Sequence, residues 1–475
     1  MQTALRDRTT ICCAAIVAFL TFCNVANSAG PNVVIFLADD LGWTGLGCFG
    51  SDLHETPHLD RLASEGVKFT EAYSACTVCS PSRAAILTGK YPARLHLTDF
   101  IAGQNRPTAK LAIPDWTKFL KHEEVTIAEA LKAEGYKTAQ VGKWHLDPKG
   151  GDRSLYEPVD HGFDRQVLKP PARGYFMTAP AGDFKKGDYT TDYLAAEAVK
   201  IVDEWKDGPF FLYFAFHVPH TPIQGKSELV EAYASKVKLN AIHDNPTYAA
   251  MVQSLDDAVG NVREAIARNG LADNTVILFT SDNGGLSYKF GQPTGIVRND
   301  PLRRGKGAGY EGGVRTPLIV KWPGVTPSGA QCDEPVLGID FYPTILEITG
   351  ASGDAKHNEH VDGLSLVPLL KDPNANLARD AIFWHYPHYH AGGDAPPGHL
   401  SDGPYAAIRT GDWKLVEFYE DARVELYNLR DDLSESNDLA EKLPRKASEL
   451  RRALDTWRTE VSAQLPTPNP NYRPD

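Results

Sequence analysis

Side chains that bind hard cations occur in two adjacent pairs, each directly after an apolar segment. Asp39 and Asp40 form one pair, and Asp282 and Asn283 form the other. These side chains offer only oxygen ligands, which suit Ca²⁺ or Mg²⁺ better than Zn²⁺. Two acidic residues after a strand more often form a solvated turn, so either pair alone is a weak indication of a metal site.

Lysine and histidine side chains follow two further apolar segments. Lys143 and His145 come after one of them, and His217 and His220, separated by Val-Pro, come after the other. A lysine can hold an anion, and a histidine can transfer a proton near neutral pH. The four segments together predict one site that combines a metal ion with groups for anion binding and proton transfer.

An α/β sheet is the architecture that brings these groups together. Apolar runs with β-branched or aromatic residues alternate with segments of helical periodicity, which predicts strands covered by helices on both faces. Ligands bind such sheets at the carboxyl ends of the strands, where the four segments deliver their polar groups. We predict strands at residues 33–38, 138–141, 210–216, 276–280 and 317–320, and helices at residues 126–134 and 248–268.

The segment Cys-Ser-Pro-Ser-Arg at residues 79–83 is the most specific local pattern. Pro81 favours the start of a helix, and Gly89 favours its end. Cys79 would then lie at a helix N-terminus, where backbone N–H groups favour an anion, and Arg83 one turn later can point to the same place. A buried cysteine beside a helix cap, with a surface arginine, is the alternative interpretation of this segment alone.

Together these motifs resemble the type I sulfatase family, within the alkaline-phosphatase-like superfamily. The family order continues through Gly-Lys-Trp-His at residues 142–145, Gly-Lys-Gly at residues 305–307 and the run at residues 407–415, so the resemblance covers roughly residues 31–463. It implies an α/β fold with a large mixed sheet covered by helices on both faces, followed by a small C-terminal antiparallel sheet with one helix.

The resemblance also implies a reaction. In this family the cysteine of the motif is oxidised to formylglycine by a formylglycine-generating enzyme, and its hydrated aldehyde attacks the sulfur of a sulfate ester. Ca²⁺ is the favoured ion, and Mg²⁺ is possible. The expected metal ligands are Asp39, Asp40, Cys79, Asp282 and Asn283, and the expected catalytic residues are Cys79, Arg83, Lys143, His145, His217 and Lys306.

Proton transfer is divided among the histidines. The His-x-Pro pattern of the family favours His217 as the general acid, while His220 is expected to contact the substrate or a backbone group. His145 is expected to release sulfate by taking a proton from the second hydroxyl of the hydrated aldehyde. By resemblance, Lys143 and Lys306 hold the sulfate oxygens.

The substrate is expected to be a sulfated sugar of galactose or N-acetylgalactosamine type, cleaved in the exo mode. His96 and Asp99, in the loop after the cysteine motif, are candidates for hydrogen bonds to sugar hydroxyls. Trp43, His161 and the stretch at residues 385–390 are candidates for the rim of a sugar pocket. Two alternatives remain open: a phosphomonoester or phosphonate hydrolase of the same superfamily, and an inactive secreted glycan-binding homologue.

Composition and the chain ends limit the setting. The chain of 475 residues is 42% hydrophobic and carries a net charge of −12, which excludes a disordered protein and disfavours general nucleic-acid binding. An apolar run at residues 11–22 follows a short basic start and is too short to span a membrane. We therefore expect a cleaved signal peptide and a secreted or periplasmic protein without stable membrane insertion.

The expected organisation is a signal peptide at residues 1–28, a catalytic domain at residues 29–375 and a smaller C-terminal α+β subdomain at residues 376–475. Four cysteines remain after cleavage, too few for a disulfide framework. The proline-rich end, from residue 466 onwards, is expected to be a loose tail. In the subdomain we predict strands at residues 381–386, 405–409, 413–419 and 424–427 and an amphipathic helix through residues 450–461.

Overall fold

The computed structural model describes residues 30–104, 106–149, 154–287, 296–390 and 403–473. The predicted signal peptide lies outside these residues. Within the described ranges, no helix is both long and apolar enough to cross a membrane.

A mixed sheet of eight strands forms the centre of the molecule. Its strands are β1 Asn32–Ala38, β2 Val67–Phe69, β5 Lys137–Gly142, β6 Arg165–Val167, β9 Phe210–Ala215, β10 Thr275–Ser281, β11 Leu318–Lys321 and β12 Ala330–Cys332. Their order is β12-β2-β11-β10-β1-β9-β5-β6. The five predicted strands are all present, and no end is displaced by more than one residue.

The central strands β10, β1, β9 and β5 all run in the same direction. Strand β1 pairs in parallel with β10 on one side and with β9 on the other, and β9 pairs in parallel with β5. Strand β11 runs antiparallel to β10 and makes the sheet mixed. The carboxyl ends of the four strands that precede the candidate residues therefore meet at one edge, as predicted.

Helices cover both faces of this sheet. The α-helices of the described residues are α1 Pro57–Glu65, α2 Cys79–Thr88, α3 Pro92–Leu95, α4 Ile127–Ala133, α5 Thr190–Trp205, α6 Ser227–Ala234, α7 Pro246–Arg268, α8 Glu311–Val314, α9 Phe341–Thr349, α10 Ala355–Asn358, α11 Val367–Lys371 and α12 Pro444–Glu460. All of β1 is buried, and alternate side chains such as Ile35 and Phe36 enter two separate cores. Residues of α2, α4 and α9 complete one core, and residues of α1, α5 and α7 complete the other.

The two predicted helices begin at strong caps. The Thr126 hydroxyl accepts a hydrogen bond from the Glu129 N–H, and the Glu129 carboxylate accepts one from the Thr126 N–H, which is a capping box at the start of α4. The Asn245 side chain caps α7 in a similar way, with Pro246 in the first turn.

A small antiparallel sheet and α12 form the C-terminal part. Its strands are β14 Ile382–Tyr386, β15 Tyr405–Thr410, β16 Trp413–Phe418 and β17 Val424–Asn428, in that order. Leu454 and Trp457 of α12 share a core with Ile408 of this sheet and with Val78 and Ala85 beside the cysteine motif. The predicted fold class, a large mixed sheet plus a small C-terminal sheet with one helix, is therefore confirmed.

Short two-stranded ribbons complete the fold. They are formed by β3 Ala72–Tyr73 with β13 Val336–Leu337, by β7 Ala172–Arg173 with β8 Phe176–Met177, and by β4 Leu111–Ala112 with β18 Thr467–Pro468. Cys48, Cys76, Cys79 and Cys332 are all free thiols.

The expectation of a loose C-terminal tail is wrong for residues up to 473. Strand β18 pairs antiparallel with β4, and the tail continues along the segment before β4. The Asn469 N–H donates to the Lys110 carbonyl at 3.1 Å, and the Asn469 side-chain amide donates to the carbonyls of Pro107 and Ala109. Proline lacks a donor, but the residues between the prolines supply enough hydrogen bonds to hold the tail.

Candidate active site

A cavity of about 390 Å³ opens at the carboxyl ends of the parallel strands. Eight of the residues proposed from the sequence line it: Asp39, Cys79, Lys143, His145, His217, His220, Lys306 and His390. We call it the catalytic cavity. The strand ends and the cysteine motif thus converge on one site.

Cys79 is the first residue of α2, at the base of the cavity. Gly89 ends this helix in the left-handed conformation, and its N–H bonds to the Ala85 carbonyl, as the sequence predicts. The Cys79 sulfur lies 3.6 Å from Asp39 Oδ1 and 3.2 Å from Lys306 Nζ. Burial raises the pKa of the Cys79 thiol to about 12, so an unmodified side chain would remain a neutral thiol.

Arg83 is completely buried, which rules out the alternative of a surface arginine. Its Nε and Nη2 lie 2.9 and 2.7 Å from the same oxygen, Oδ2 of Asp282, and its Nη1 donates to the Lys143 carbonyl. Burial, together with the nearby charge of Asp39, raises the pKa of Asp282 to about 6. Arg83 therefore fixes Asp282 and the start of the Lys143 loop in place.

The oxygen ligands proposed for a metal ion lie close together. Lys143 Nζ lies 2.6 Å from Asp39 Oδ2, and Lys306 Nζ lies 2.6 Å from Asp40 Oδ1. The Asn283 amide nitrogen donates to the same Asp40 oxygen at 2.8 Å. Burial raises the pKa of Asp39, whereas the neighbouring charge of Lys143 lowers it. The net effect holds the pKa of Asp39 well below its usual range.

Two buried oxygens support the fit of these residues to a hard cation. Asp40 Oδ2 and Asn283 Oδ1 are both inaccessible to solvent and have no hydrogen-bond partner. Single ligand atoms of Asp39, Asp40, Cys79 and His220 all lie within 4.8 Å of one another. A buried unpartnered oxygen is costly, and a bound cation would satisfy it.

His145 has an orientation that suits a base. Its Nε2 lies 2.6 Å from the Ile101 carbonyl oxygen, which can only accept, so Nε2 carries the hydrogen. Its Nδ1 is buried without a hydrogen-bond partner and is therefore free to accept a proton. Burial and the neighbouring charge of Lys143 hold the pKa of His145 well below its usual range.

His217 and His220 occupy different positions in the cavity. His220 Nε2 lies 3.5 Å from Asp40 Oδ2, and this residue belongs to the compact group around Cys79. His217 Nε2 is buried without a hydrogen-bond partner, and Lys169 is the first charge that lowers its pKa after burial. His220 is thus the histidine of this pair that lies beside the cysteine and the carboxylates.

One tyrosine joins the two histidines. The Tyr175 hydroxyl contacts the backbone carbonyls of both His217 and His220, the latter at 2.7 Å. Lys169 Nζ lies 4.5 Å from the centre of the Tyr175 ring. Lys169 and Tyr175 line the catalytic cavity and were not identified from the sequence. Lys169 lies near the end of a long Gly/Pro-rich segment at residues 150–171. Long loops of this kind often carry functional residues, so the segment could have indicated Lys169.

His96 and Asp99 do not line the catalytic cavity. His96 has a positive φ of 54°, and its Nε2 lies 2.9 Å from the Ser462 carbonyl oxygen. Asp99 is completely buried, and its Oδ1 accepts from the Tyr386 hydroxyl and the Phe100 N–H. Their hydrogen bonds are made within the protein, so the structure lends no support to direct contacts with a sugar.

The aromatic candidates for a sugar rim are also mostly internal. His161 is completely buried and stacks on His122, and Trp43 lies outside the catalytic cavity. In the stretch at residues 385–390, only His390 lines the catalytic cavity. The sequence alone could not show whether these rings pack in the core or line a sugar pocket, because aromatic residues occur in both settings.

Comparison with known proteins matches two family models to the chain. The model "Sulfatase" matches residues 31–351, and the model "N-sulphoglucosamine sulphohydrolase, C-terminal" matches residues 305–461. A protein named "Sulfatase" from Formosa agariphila is 32% identical, over 90% of this chain and 88% of its own. Human N-acetylgalactosamine-6-sulfatase is 33% identical, over 72% of this chain and 66% of its own.

The fold also matches solved structures. Ps i-CgsB, solved in complex with k-i-k-neocarrahexaose, superposes with a TM-score of 0.74 and 30% identity, covering 93% of this chain and 94% of that one. A match over 93% of the chain must include most of both the large sheet and the C-terminal part, so the two share the alkaline-phosphatase-like architecture.

Proposed function

Because this chain belongs to the sulfatase family, which identifies it as a sulfuric ester hydrolase, we propose that it cleaves sulfate monoesters with a formylglycine formed from Cys79. The observation that carries this proposal is the catalytic cavity itself. It places Cys79 at a helix N-terminus, with the ammonium of Lys306 at 3.2 Å from its sulfur and buried carboxylates on the other side. The thiol is buried, which is consistent with conversion by a formylglycine-generating enzyme before folding.

The positive groups of the cavity stabilise the charge of the transferring sulfate. Lys143 and Lys306 line the cavity beside Cys79 and can each reach a sulfate oxygen. Fixed positive charges in a site that excludes water stabilise developing negative charge more strongly than they would in water. Ca²⁺, bound by Asp39, Asp40, Asp282 and Asn283, would add a further positive charge next to the nucleophile.

Proton transfer is assigned by the positions of the ring nitrogens. Nδ1 of His145 is free to accept the proton whose removal releases sulfate from residue 79. We assign the general acid to His220, rather than to His217 as the His-x-Pro pattern favours, because His220 lies in the group around Cys79. A protonated imidazole there can donate to the leaving alcohol oxygen.

The proposed substrate is a glycan with a terminal sulfated sugar of galactose type. Two similar proteins are named or titled for such compounds, N-acetylgalactosamine-6-sulfatase and the neocarrahexaose complex of Ps i-CgsB. A cavity of about 390 Å³ can enclose one sugar ring, and Phe100, Tyr175 and Leu286 supply apolar surface for its faces. A pocket that takes one sugar ring is consistent with the exo mode.

The cellular setting is part of the proposal. The basic and apolar N-terminal segment would direct export of the chain to the periplasm or the medium, with cleavage after residue 28. The boundary between catalytic domain and C-terminal subdomain would lie near residue 375, shortly before β14.

The proposed function is tested by two measurements on protein purified from its own host. The peptide containing Cys79 should be about 18 Da lighter than its cysteine form, since sulfur and two hydrogens are replaced by one oxygen. The same protein should release sulfate from 4-nitrophenyl sulfate and from sulfated galactosides. An unmodified thiol together with absent hydrolysis would favour the inactive glycan-binding homologue, and a preference for 4-nitrophenyl phosphate or phosphonates would favour the phosphorus ester hydrolase.

A further inference from the structure

A second cavity of about 540 Å³ lies beside the catalytic cavity. Its described walls are the segment at residues 106–110, Tyr389, Glu420 and the C-terminal residues Tyr472 and Arg473. We call it the tail cavity. None of the residues assigned to catalysis or to the metal ion lines it, so it requires a separate explanation.

The two cavities adjoin each other along two chain segments. Gln104 lines the catalytic cavity and Arg106 lines the tail cavity, and His390 and Tyr389 are divided in the same way. Neighbouring Cα atoms are about 3.8 Å apart, and two residues span at most about 7 Å. Residues that border the two cavities are therefore within about 7 Å of each other along the chain, a separation short enough for one saccharide to contact both.

The tail cavity has an excess of positive charge. Arg106, Lys110 and Arg473 contribute three cations, and Glu420 contributes the one carboxylate among its described lining residues. Within the described part of the chain, no carboxylate forms an ion pair with these three cations. The Glu420 carboxylate instead accepts a hydrogen bond from the Tyr389 hydroxyl at 2.5 Å. The three cations thus remain available to an external anion.

The wall that carries Arg473 is held in place by hydrogen bonds. The Asn469 side-chain amide donates to the carbonyls of Pro107 and Ala109 at 2.9 and 2.7 Å, and the Arg473 N–H donates to the Thr108 carbonyl at 3.2 Å. The strand in this tail is exposed and adds little to any core. These hydrogen bonds place Tyr472 and Arg473 beside the basic segment.

We propose that the tail cavity binds an anionic sugar adjoining the sulfated sugar in the catalytic cavity, so that the substrate is an oligosaccharide with at least two anionic groups. The inference rests on the proposed sulfatase function of the catalytic cavity. A guanidinium fork can bind a sulfate ester or a carboxylate with two hydrogen bonds, and Arg106 and Arg473 both present one. Tyrosine rings such as that of Tyr472 can pack against the apolar face of a sugar.

The test compares a substrate that fills only the catalytic cavity with substrates that reach both cavities. 4-Nitrophenyl sulfate is the first, and sulfated tetrasaccharides from carrageenan and from chondroitin 6-sulfate are the second. In the variant R106Q/K110Q/R473Q, the ratio of kcat/KM for a tetrasaccharide to kcat/KM for 4-nitrophenyl sulfate should fall at least tenfold, mainly through KM. The control K206Q/K238Q/R445Q removes three exposed cations outside both cavities and should keep the ratio of the wild type.

The tetrasaccharide that shows the loss identifies the anion. Carrageenan carries sulfate esters without carboxylates, so a loss with it alone assigns the tail cavity to sulfate, whereas a loss with chondroitin 6-sulfate alone assigns it to the carboxylate. Equal ratios in both triple variants would overturn the inference and leave the sulfatase function intact.

Binding gives an answer that is independent of turnover. The Cys79→Ala chain should bind a tetrasaccharide at least tenfold more tightly than the same chain carrying R106Q/K110Q/R473Q, as measured by calorimetry. Equal affinities, or no binding of either tetrasaccharide, would refute the tail cavity as a sugar site. Failure of the wild type to hydrolyse 4-nitrophenyl sulfate would instead contradict the proposed function.

Discussion

Lys306 Nζ lies 3.2 Å from the sulfur of Cys79, and it also lies 2.6 Å from Asp40 Oδ1. One ammonium group thus contacts the residue proposed as nucleophile and a residue proposed as metal ligand. Such a position suits a group that stabilises negative charge on oxygens transferred to residue 79.

Replacement of Lys306 by methionine should therefore impair chemistry more than folding. Methionine keeps most of the side-chain volume but removes the charge, and we expect kcat/KM for 4-nitrophenyl sulfate to fall by about 10²–10³-fold. Lys321→Met, which removes a half-buried ion pair with Glu65, is the matched control and should retain activity. Equal activities of the two variants would exclude Lys306 from the reaction.

The two histidines of the His-Val-Pro-His segment can be separated by leaving group. A general acid matters most when the alcohol leaves poorly, so His220→Gln should lower kcat for an alkyl or sugar sulfate by about 10²–10⁴-fold and for 4-nitrophenyl sulfate much less. The ring of His217 is not part of the compact group around Cys79. His217→Gln should therefore lower kcat for the two kinds of substrate to a similar extent. The reverse pattern would return the role of acid to His217.

Cation binding should be detectable without turnover. Asp40 Oδ2 and Asn283 Oδ1 are buried and accept no hydrogen bond, so a bound ion stabilises the folded chain and raises its Tm. We expect Ca²⁺ to raise the Tm after treatment with EGTA, and the Asp40→Asn variant to show a much smaller rise. Identical Ca²⁺ responses of both chains would place the ion elsewhere, and a larger response to Mg²⁺ would favour that ion.

The buried His161 ring should make the protein less stable in acid. Burial, with a smaller effect of His122, lowers the pKa of His161 to about 4. The unfolded chain, with a histidine pKa of about 6.5, therefore binds the proton first as the pH falls. The contribution of His161 to stability is complete above pH ~6.5 and is lost towards pH ~4, by at most about 1.4 kcal/mol per pH unit.

His161→Phe should consequently reduce the loss of Tm between pH 7 and pH 5 by about 2 °C or more. Neither ring nitrogen of His161 has a hydrogen-bond partner, so phenylalanine removes no such bond and keeps the stacking surface for His122. The exposed His360, replaced by Gln, is the control for loss of one imidazole. An unchanged slope in His161→Phe would show that this ring is not the source of acid sensitivity.

The predictable part of the site is the part that the sheet positions. Asp39 and Asp282 directly follow neighbouring parallel strands, so the direction of those strands determines that they meet. Apolar periodicity is sufficient to identify such strands, because buried parallel strands are continuous apolar runs. The C-terminal strands were predictable because each is a short run of apolar, aromatic or β-branched residues, and these side chains are buried in the structure.

The loops could not be predicted in this way. Lys169 and Tyr175 lie between short strands with no clear periodicity, and only the tertiary fold turns them towards the catalytic cavity. His96 follows the cysteine motif closely in sequence, but its left-handed backbone directs the ring to the Ser462 carbonyl. Proximity in sequence therefore says little about the direction of a loop side chain.

Replacement of Tyr175 tests whether such a loop contributes to catalysis by holding the histidines in place. Its hydroxyl is shared by the carbonyls of His217 and His220, so Tyr175→Phe leaves two partly buried carbonyls without this donor and loosens both histidines. We expect kcat for a sugar sulfate to fall about tenfold with little change in KM, since the apolar ring surface is retained.

Tyr189→Phe is the matched control for Tyr175→Phe. The Tyr189 ring stacks on Tyr175 with centres 5.7 Å apart, and its hydroxyl donates to the Gln224 carbonyl at 2.8 Å instead. Both variants lose one buried tyrosine hydroxyl and should lower the Tm similarly, but only Tyr175→Phe should lower kcat and alter the pH profile, because that profile reports the ionisation of the histidines it holds. Equal kcat values in the two variants would reduce Tyr175 to a purely structural role.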